Sequence, residues 1–168
     1  DRRRVEVTLV SAGADDGSDM RQRLKRACHR FEDLHGATHE AMARRIRALG
    51  IDILVDVKGA TDGTLLPVLA ARPAPLQLEW LAFPGTSGAD FIDYVVGDPI
   101  VTPLAHAAHF SEKIAQLPNC YQPNDALRAR PELEPYWRLL DEDQLRRLAR
   151  SPLVTIGSHG LRHLSLGH

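Results

Sequence analysis

Between Arg72 and Asp98 the chain reads RPAPLQLEWLAFPGTSGADFIDYVVGD, two apolar runs parted by a Phe-Pro-Gly-Thr-Ser-Gly loop. Proline fixes φ and drives the residue before it out of the helical region, so Pro73 and Pro75 hold the approach extended. Leu76 to Leu81 then reads as a strand. Pro84, Gly85 and Gly88 break it, and Phe91 to Val96 resumes a β-rich pattern that ends at Gly97-Asp98. A loop of this kind between two core strands is how an α/β protein aims a turn at a ligand, although a plain connecting loop carries the same punctuation.

The rest of the chain supplies the layer around that loop. Val5 to Val10 alternates as a strand does, closed by Ser11-Ala12-Gly13. The turn Asp15-Asp16-Gly17-Ser18 leads into a helix from about Met20, with Leu24, Cys28 and Phe31 at helical spacing. Phe31 to Leu34 reads as a short edge strand. Thr38 offers an N-cap to a helix that carries Met42, Ile46 and Leu49 on one face and stops at Gly50. Ile51 to Val57 is nearly continuous in apolar character, which suits a central parallel strand covered on both faces. Leu65 to Ala71 is short and helical, with Pro67 tolerated in its first turn.

Strand, helix, strand, helix, strand predicts an α/β fold, an open parallel sheet with flanking helices and right-handed crossovers. Ligands of such sheets sit beyond the carboxyl ends of the strands. The loops Gly13 to Ser18, Lys58 to Thr64 and Phe83 to Gly88 are therefore expected on one rim.

Composition excludes several classes. A formal charge of -1 over 168 residues gives no reason to expect nucleic acid or an anionic membrane as a partner. Cys28 and Cys120 are the only cysteines and lack metal-ligand spacing, which points to a reducing compartment. No apolar run approaches a membrane span and no signal-peptide pattern opens the chain, so a soluble, cytoplasmic protein is expected.

The central stretch resembles the protein O-GlcNAc transferases, glycosyltransferase family 41. It supplies Ala71-Arg72-Pro73-Ala74-Pro75, Trp80-Leu81, Pro84-Gly85-Thr86-Ser87-Gly88-Ala89 and Phe91-Ile92-Asp93-Tyr94 of the family string LRPAPxQxxWLGYPGTSGAxFxDY. Ile51 to Asp56 with Lys58-Gly59 and Thr61 resembles the family's IDILVDLKGYT. Ser111-Glu112-Lys113, Leu117-Pro118 and Tyr121 to Asp125 resemble SEKLxYLPxxYQPND, and Asp15 to Ser18 with Met20-Arg21 resembles PDDGSxMR. The matches run in order from about Val5 to Asp125.

That resemblance implies part of the N-terminal lobe of a GT-B glycosyltransferase, over residues 1–125. The implied reaction moves N-acetylglucosamine from UDP-GlcNAc to Ser or Thr of proteins, with no cofactor and no metal. Leu81, Pro84, Gly85 and Thr86 match the loop that approaches the donor sugar; no catalytic residue is assigned. Ala82 and Phe83 depart from the family's Gly and Tyr. The implied partners are the nucleotide sugar, a protein acceptor, and a second catalytic lobe and tetratricopeptide repeats that these residues lack. The isolated chain is expected to be inactive.

Residues 126–168 read differently. The stretch Leu139 to Leu148, with an N-cap at Asp141 and an amphipathic helical pattern, precedes a strand at Val154-Thr155-Ile156 and then Gly157-Ser158-His159-Gly160-Leu161-Arg162-His163. This order resembles the histidine motif of polysaccharide deacetylases, as if two coding regions were joined. The alternative function is then zinc-dependent deacetylation, with Asp16, His159 and His163 on zinc and Asp15 as base. A noncatalytic α/β interaction domain is a third reading. Nucleotide-sugar binding without metal, tightly held zinc, or neither would separate the three.

Overall fold

The computed structural model describes residues 3–81, 85–123 and 142–150. The chain divides into two compact units, Asp1–Gln122 and Pro123–His168.

In the first unit, β1 (Thr8–Ser11) pairs in parallel with β2 (Arg30–Asp33), Leu9 opposite Phe31. Between them lies α1 (Asp19–Ala27), where the Ser18 hydroxyl accepts from the Arg21 amide and so satisfies one of the donors a helix start leaves unpaired. α2 (His39–Ala48) begins the same way, Thr38 accepting from the Ala41 amide. Its last turn passes through Leu49 to Gly50, whose φ of 65° suits glycine.

Four further strands form a second parallel sheet: β3 (Ile53–Asp56), β4 (Leu76–Trp80), β5 (Tyr94–Gly97) and β6 (Lys113–Gln116), side by side in that order. α3 (Leu66–Ala70) connects β3 to β4, with Pro67 in its first turn where the missing N–H costs nothing. A 3-10 turn at Leu104–His109 connects β5 to β6. Met42, Ala43 and Ile46 of α2 meet Val68 and Leu69 of α3 and Ile92, and Val10, Leu54 and Phe91 close on that cluster.

Two expectations change. Ile51 to Val57 does not form a central strand: β3 is an edge, paired only with β4, and Ile53 is 52% and Val57 57% exposed. Leu24 and Phe31 do not share a helix face, because α1 ends at Ala27 and Phe31 belongs to β2, where Arg21 and Lys25 lie over its ring.

β4 inverts the usual reading of alternation. Gln77 and Glu79 are its buried side chains while Leu76, Leu78 and Trp80 are half-buried. The side-chain amide nitrogen of Gln77 is satisfied there, donating to the carbonyls of Leu69 at 2.9 Å and Phe91 at 2.7 Å, while its Oε1 has no partner among the described residues.

The second unit contributes α4 (Glu142–Ala149), with Arg146 and Arg147 in its last turn, where the helix dipole favours cations. Asp141, the expected strand at Val154 to Ile156, His159 and His163 lie outside the described residues.

Candidate functional site

The stretch from Arg72 to Asp98 does two jobs at opposite ends of the four-stranded sheet. At the amino ends of β4 and β5, Arg72 donates to the carbonyls of Phe91 and Pro75, both at 3.1 Å, and pairs with the Asp93 carboxylate at 3.2 Å. Asp93 in turn accepts from the Gln77 amide at 2.8 Å. Arg72 reaches these partners from a left-handed backbone, φ 44°. This half of the motif is a brace.

The other half follows the carboxyl end of β4. Leu81 leaves the strand at φ 87°, a conformation that costs a non-glycine residue about 1–3 kcal/mol and turns the chain sharply. Pro84 lies outside the described residues, and the loop is described again from Gly85. Glu112, buried just before β6, grips it. One carboxylate oxygen accepts from Thr86 Oγ1 at 2.7 Å; the other accepts from the Ser87 amide at 2.7 Å and from the Ser87 hydroxyl. Thr86 Oγ1 also accepts from the amides of Gly88 and Ser111, both at 3.1 Å. Ser87 Oγ accepts from the Ala89 amide at 3.2 Å, and Gly88 takes φ 68°, which a β-carbon would resist. Burial pushes the Glu112 carboxyl up, but the donors on Ser87 and Thr86 outweigh it and hold the group below its ordinary range.

The neighbouring loops are tied down by the same device. Asp56, at the end of β3, accepts from the amides of Lys58 at 3.0 Å and Gly59 at 2.9 Å. Asp98, just past β5, accepts from the amides of Ile100, Val101 and Tyr121 at 2.8, 2.9 and 3.0 Å. Trp80 at the end of β4 donates its indole N–H to the Tyr121 carbonyl at 2.8 Å, so the segment after β6 is pinned to two other strands.

Inside this rim sits Glu79, 1% exposed, with neither carboxylate oxygen partnered among the described residues. Burial, then the charges of Glu112 and Asp56, push its pKa up to about 7. Such a value would suit a general base, but the side chain is closed to solvent.

The structure thus gathers Leu81, Gly85 and Thr86 at one rim. Glu112, Ser87, Asp56 and Glu79 were not singled out as site residues from sequence. Glu112 was legible only as part of a motif, and the inverted alternation of β4 was the available signal for Glu79.

Asp16 stands apart. It is exposed in the turn before α1, where its carboxylate accepts from the Ser18 amide at 3.0 Å. Asp15 accepts from the Gly17 amide at 2.9 Å and pairs with Lys25 and Arg21. These contacts, the Gly17 amide first, hold its carboxyl below the ordinary range, which weakens it as a base. Among the described residues no three His, Cys, Asp or Glu side chains are grouped to hold a metal, and no helix is long and apolar enough to cross a membrane.

The model of the family described as glycosyl transferase family 41 matches residues 1–150, reaching beyond the motif resemblance that ends near Asp125. Over 124 residues the chain is 40% identical to the Arabidopsis thaliana protein named "Probable UDP-N-acetylglucosamine–peptide N-acetylglucosaminyltransferase SEC", covering 74% of this chain and 13% of that protein. Over 122 residues it is 38% identical to the UDP-N-acetylglucosamine–peptide N-acetylglucosaminyltransferase of Caenorhabditis elegans, covering 72% of this chain and 11% of that one. Among solved structures, a mutant of the Thermobaculum terrenum O-GlcNAc transferase superposes with a TM-score of 0.67 at 31% identity, over 76% of this chain and 24% of that chain.

Proposed function

The chain belongs to glycosyl transferase family 41, and on that premise we propose that it forms the donor-facing rim of a protein O-GlcNAc transferase. The donor is UDP-GlcNAc and the acceptor is a Ser or Thr hydroxyl of a protein. The hydroxyl oxygen attacks the anomeric carbon, the bond from that carbon to the diphosphate breaks, and the hydroxyl proton leaves to a base that these residues do not identify. No metal enters this scheme.

The observation that carries the proposal is the grip of Glu112 on Thr86 and Ser87. A sugar pocket must hold its shape while charge moves at the anomeric centre, because orientation and fixed dipoles lower the barrier only when they need no rearrangement. The loop at Gly85 to Ala89 has that property. Leu81, Pro84, Gly85 and Thr86 contact the donor sugar. Cys28 and Cys120 form no disulfide, which fits work in the reducing cytoplasm.

The nucleotide and most of the leaving-group stabilisation belong to a second lobe outside these residues, and tetratricopeptide repeats are a further partner. The purified 168-residue chain therefore gives transfer of labelled N-acetylglucosamine no higher than a boiled control. Joined to a family second lobe it transfers, and Gly85→Trp abolishes that transfer by filling the sugar pocket. Full transfer by the chain alone, or an active Gly85→Trp enzyme, would overturn the proposal.

A further inference from the structure

Two histidines meet on the outside of the turn that connects β5 to β6. Leu104–His109 winds as a 3-10 helix, with His106 in its middle and His109 at its end. Three residues per turn and a rise of about 2.0 Å set residue i+3 directly above residue i, about 6 Å away. The two imidazole centroids lie 6.1 Å apart, with 67° between the ring planes. In an α-helix the same spacing would offset the pair around the axis. Both residues are exposed, and neither ring makes a hydrogen bond among the described residues.

The turn is fixed at both ends. Thr102, 4% exposed, donates its amide and its hydroxyl to the Asp98 carbonyl at 3.0 and 3.1 Å, and its own carbonyl accepts from the Gln116 side chain at 2.8 Å. Gly97 leaves the room for this, since a β-carbon there would collide with Thr102 Oγ1. Pro103 then enters the turn at a φ of -58°, which its ring prefers. At the far end the Phe110 amide donates to the Ala107 carbonyl at 3.1 Å, and the Ser111 amide donates to Thr86 Oγ1, also at 3.1 Å. Backbone anchored in this way gives up little freedom when its side chains take a ligand.

Paired imidazoles suit borderline divalent transition ions, copper above nickel and zinc, and do not suit magnesium or calcium, which take oxygen ligands. Metal–nitrogen bonds of about 2.0–2.1 Å bring the centroids of two rings on one ion to about 5 Å. Side-chain rotation closes the gap from 6.1 Å without moving the backbone.

From this geometry we infer that His106 and His109 form a surface chelate for one divalent transition-metal ion, completed by water. No third His, Cys, Asp or Glu among the described residues joins them. With two protein ligands the ion exchanges readily and dialysis removes it, unlike a catalytic zinc held by three. The ion takes no part in glycosyl transfer. Two residues beyond His109, Ser111 bonds Thr86, so an occupied chelate adjoins the support of the donor-facing rim.

The test uses metal ions and no sugar, so it stands or falls apart from the transferase proposal. His159 and His163 are a second closely spaced pair in the sequence, so the full chain carries His159→Gln and His163→Gln as its background. That chain is titrated at neutral pH with Cu(II), Ni(II) or Mg(II), by calorimetry and by imidazole NMR signals assigned residue by residue. Copper binds about tenfold or more tighter than nickel, and magnesium does not bind. Paramagnetic broadening by substoichiometric copper reaches His106 and His109 together, ahead of the other histidines. His106→Gln and His109→Gln each weaken copper binding by about tenfold or more, because the surviving ring loses the advantage of a second donor held beside it. Both replacements lie on an exposed turn, where a polar substitution leaves the fold intact. Three results would overturn the inference: no copper binding by the background chain, broadening of one ring without the other, or full affinity after either replacement.

Discussion

Glu79 and Glu112 are both buried carboxyls of one sheet, yet Glu112 is held ionised below its ordinary range while Glu79 keeps its proton up to about pH 7. The difference is hydrogen bonding. Glu112 has the donors of Thr86 and Ser87, and Glu79 has none among the described residues and feels the Glu112 charge besides.

Stability should therefore depend on pH through Glu79. Its folded pKa, about 7, lies above the ordinary 4.5, so the folded chain holds the proton more tightly than the unfolded one. The associated stability is fully present below pH 4.5 and is lost as pH rises through 7, to the extent of about 3 kcal/mol. Urea midpoints at pH 5 and pH 8 check this. Glu79→Gln should remove most of the difference, and a wild-type chain more stable at pH 8 would refute the assignment.

Removing the grip on the loop should loosen it locally. Glu112→Ala leaves the Ser87 amide and the Thr86 hydroxyl without their charged acceptor, at a cost of about 2–3 kcal/mol. Amide exchange at Ser87 and Ala89 should rise well beyond the global loss. Unchanged exchange there would mean the loop is shaped by its own glycine and proline.

The two faces of β3 should respond oppositely to substitution. Leu54 packs on the core, and Leu54→Asp buries an unpaired carboxylate, costing about 3 kcal/mol or more. Ile53, on the other face at 52% exposure, should tolerate Ile53→Thr within about 0.5 kcal/mol. Thermal melts of both variants decide the point; a cooperatively melting, fully stable Leu54→Asp chain would contradict the packing.

Zinc should not be retained. His159 and His163 supply two ligands where a catalytic zinc takes three from the protein, and Asp16 is engaged by the Ser18 amide in the turn before α1. Metal analysis after dialysis should find well under one zinc per chain. A full equivalent that is lost in His163→Ala would restore the deacetylase reading.

Local chemistry made much of this fold readable. Thr38 as a cap, Gly50 as a stop, Pro67 in a first turn and the Pro-Gly break after β4 each act within a few residues, so the sequence displays them directly. What the sequence hid depends on distant partners. Ile53 and Val55 look like core in the sequence, yet both stand exposed on a strand at the edge of its sheet. Glu112 meets Thr86 and Ser87 across 25 or 26 positions, a pairing no local pattern announces. Gln77 and Glu79 sit inside because β4 turns its polar side inward, where Gln77 bonds the Leu69 carbonyl of α3 and the Phe91 carbonyl before β5, against the habit of alternating strands.

The separation of brace and rim along Arg72 to Asp98 has an evolutionary reading. Arg72, Gln77 and Asp93 secure the strands at one end, whereas residues 85–89 are secured at the other by the Glu112 carboxylate. Substitutions in the loop therefore do not pass through the contacts that keep the sheet assembled. A lineage, or an engineer, gains a region in which sequence drifts while foldability stays where it was, provided the acidic side chain opposite is kept.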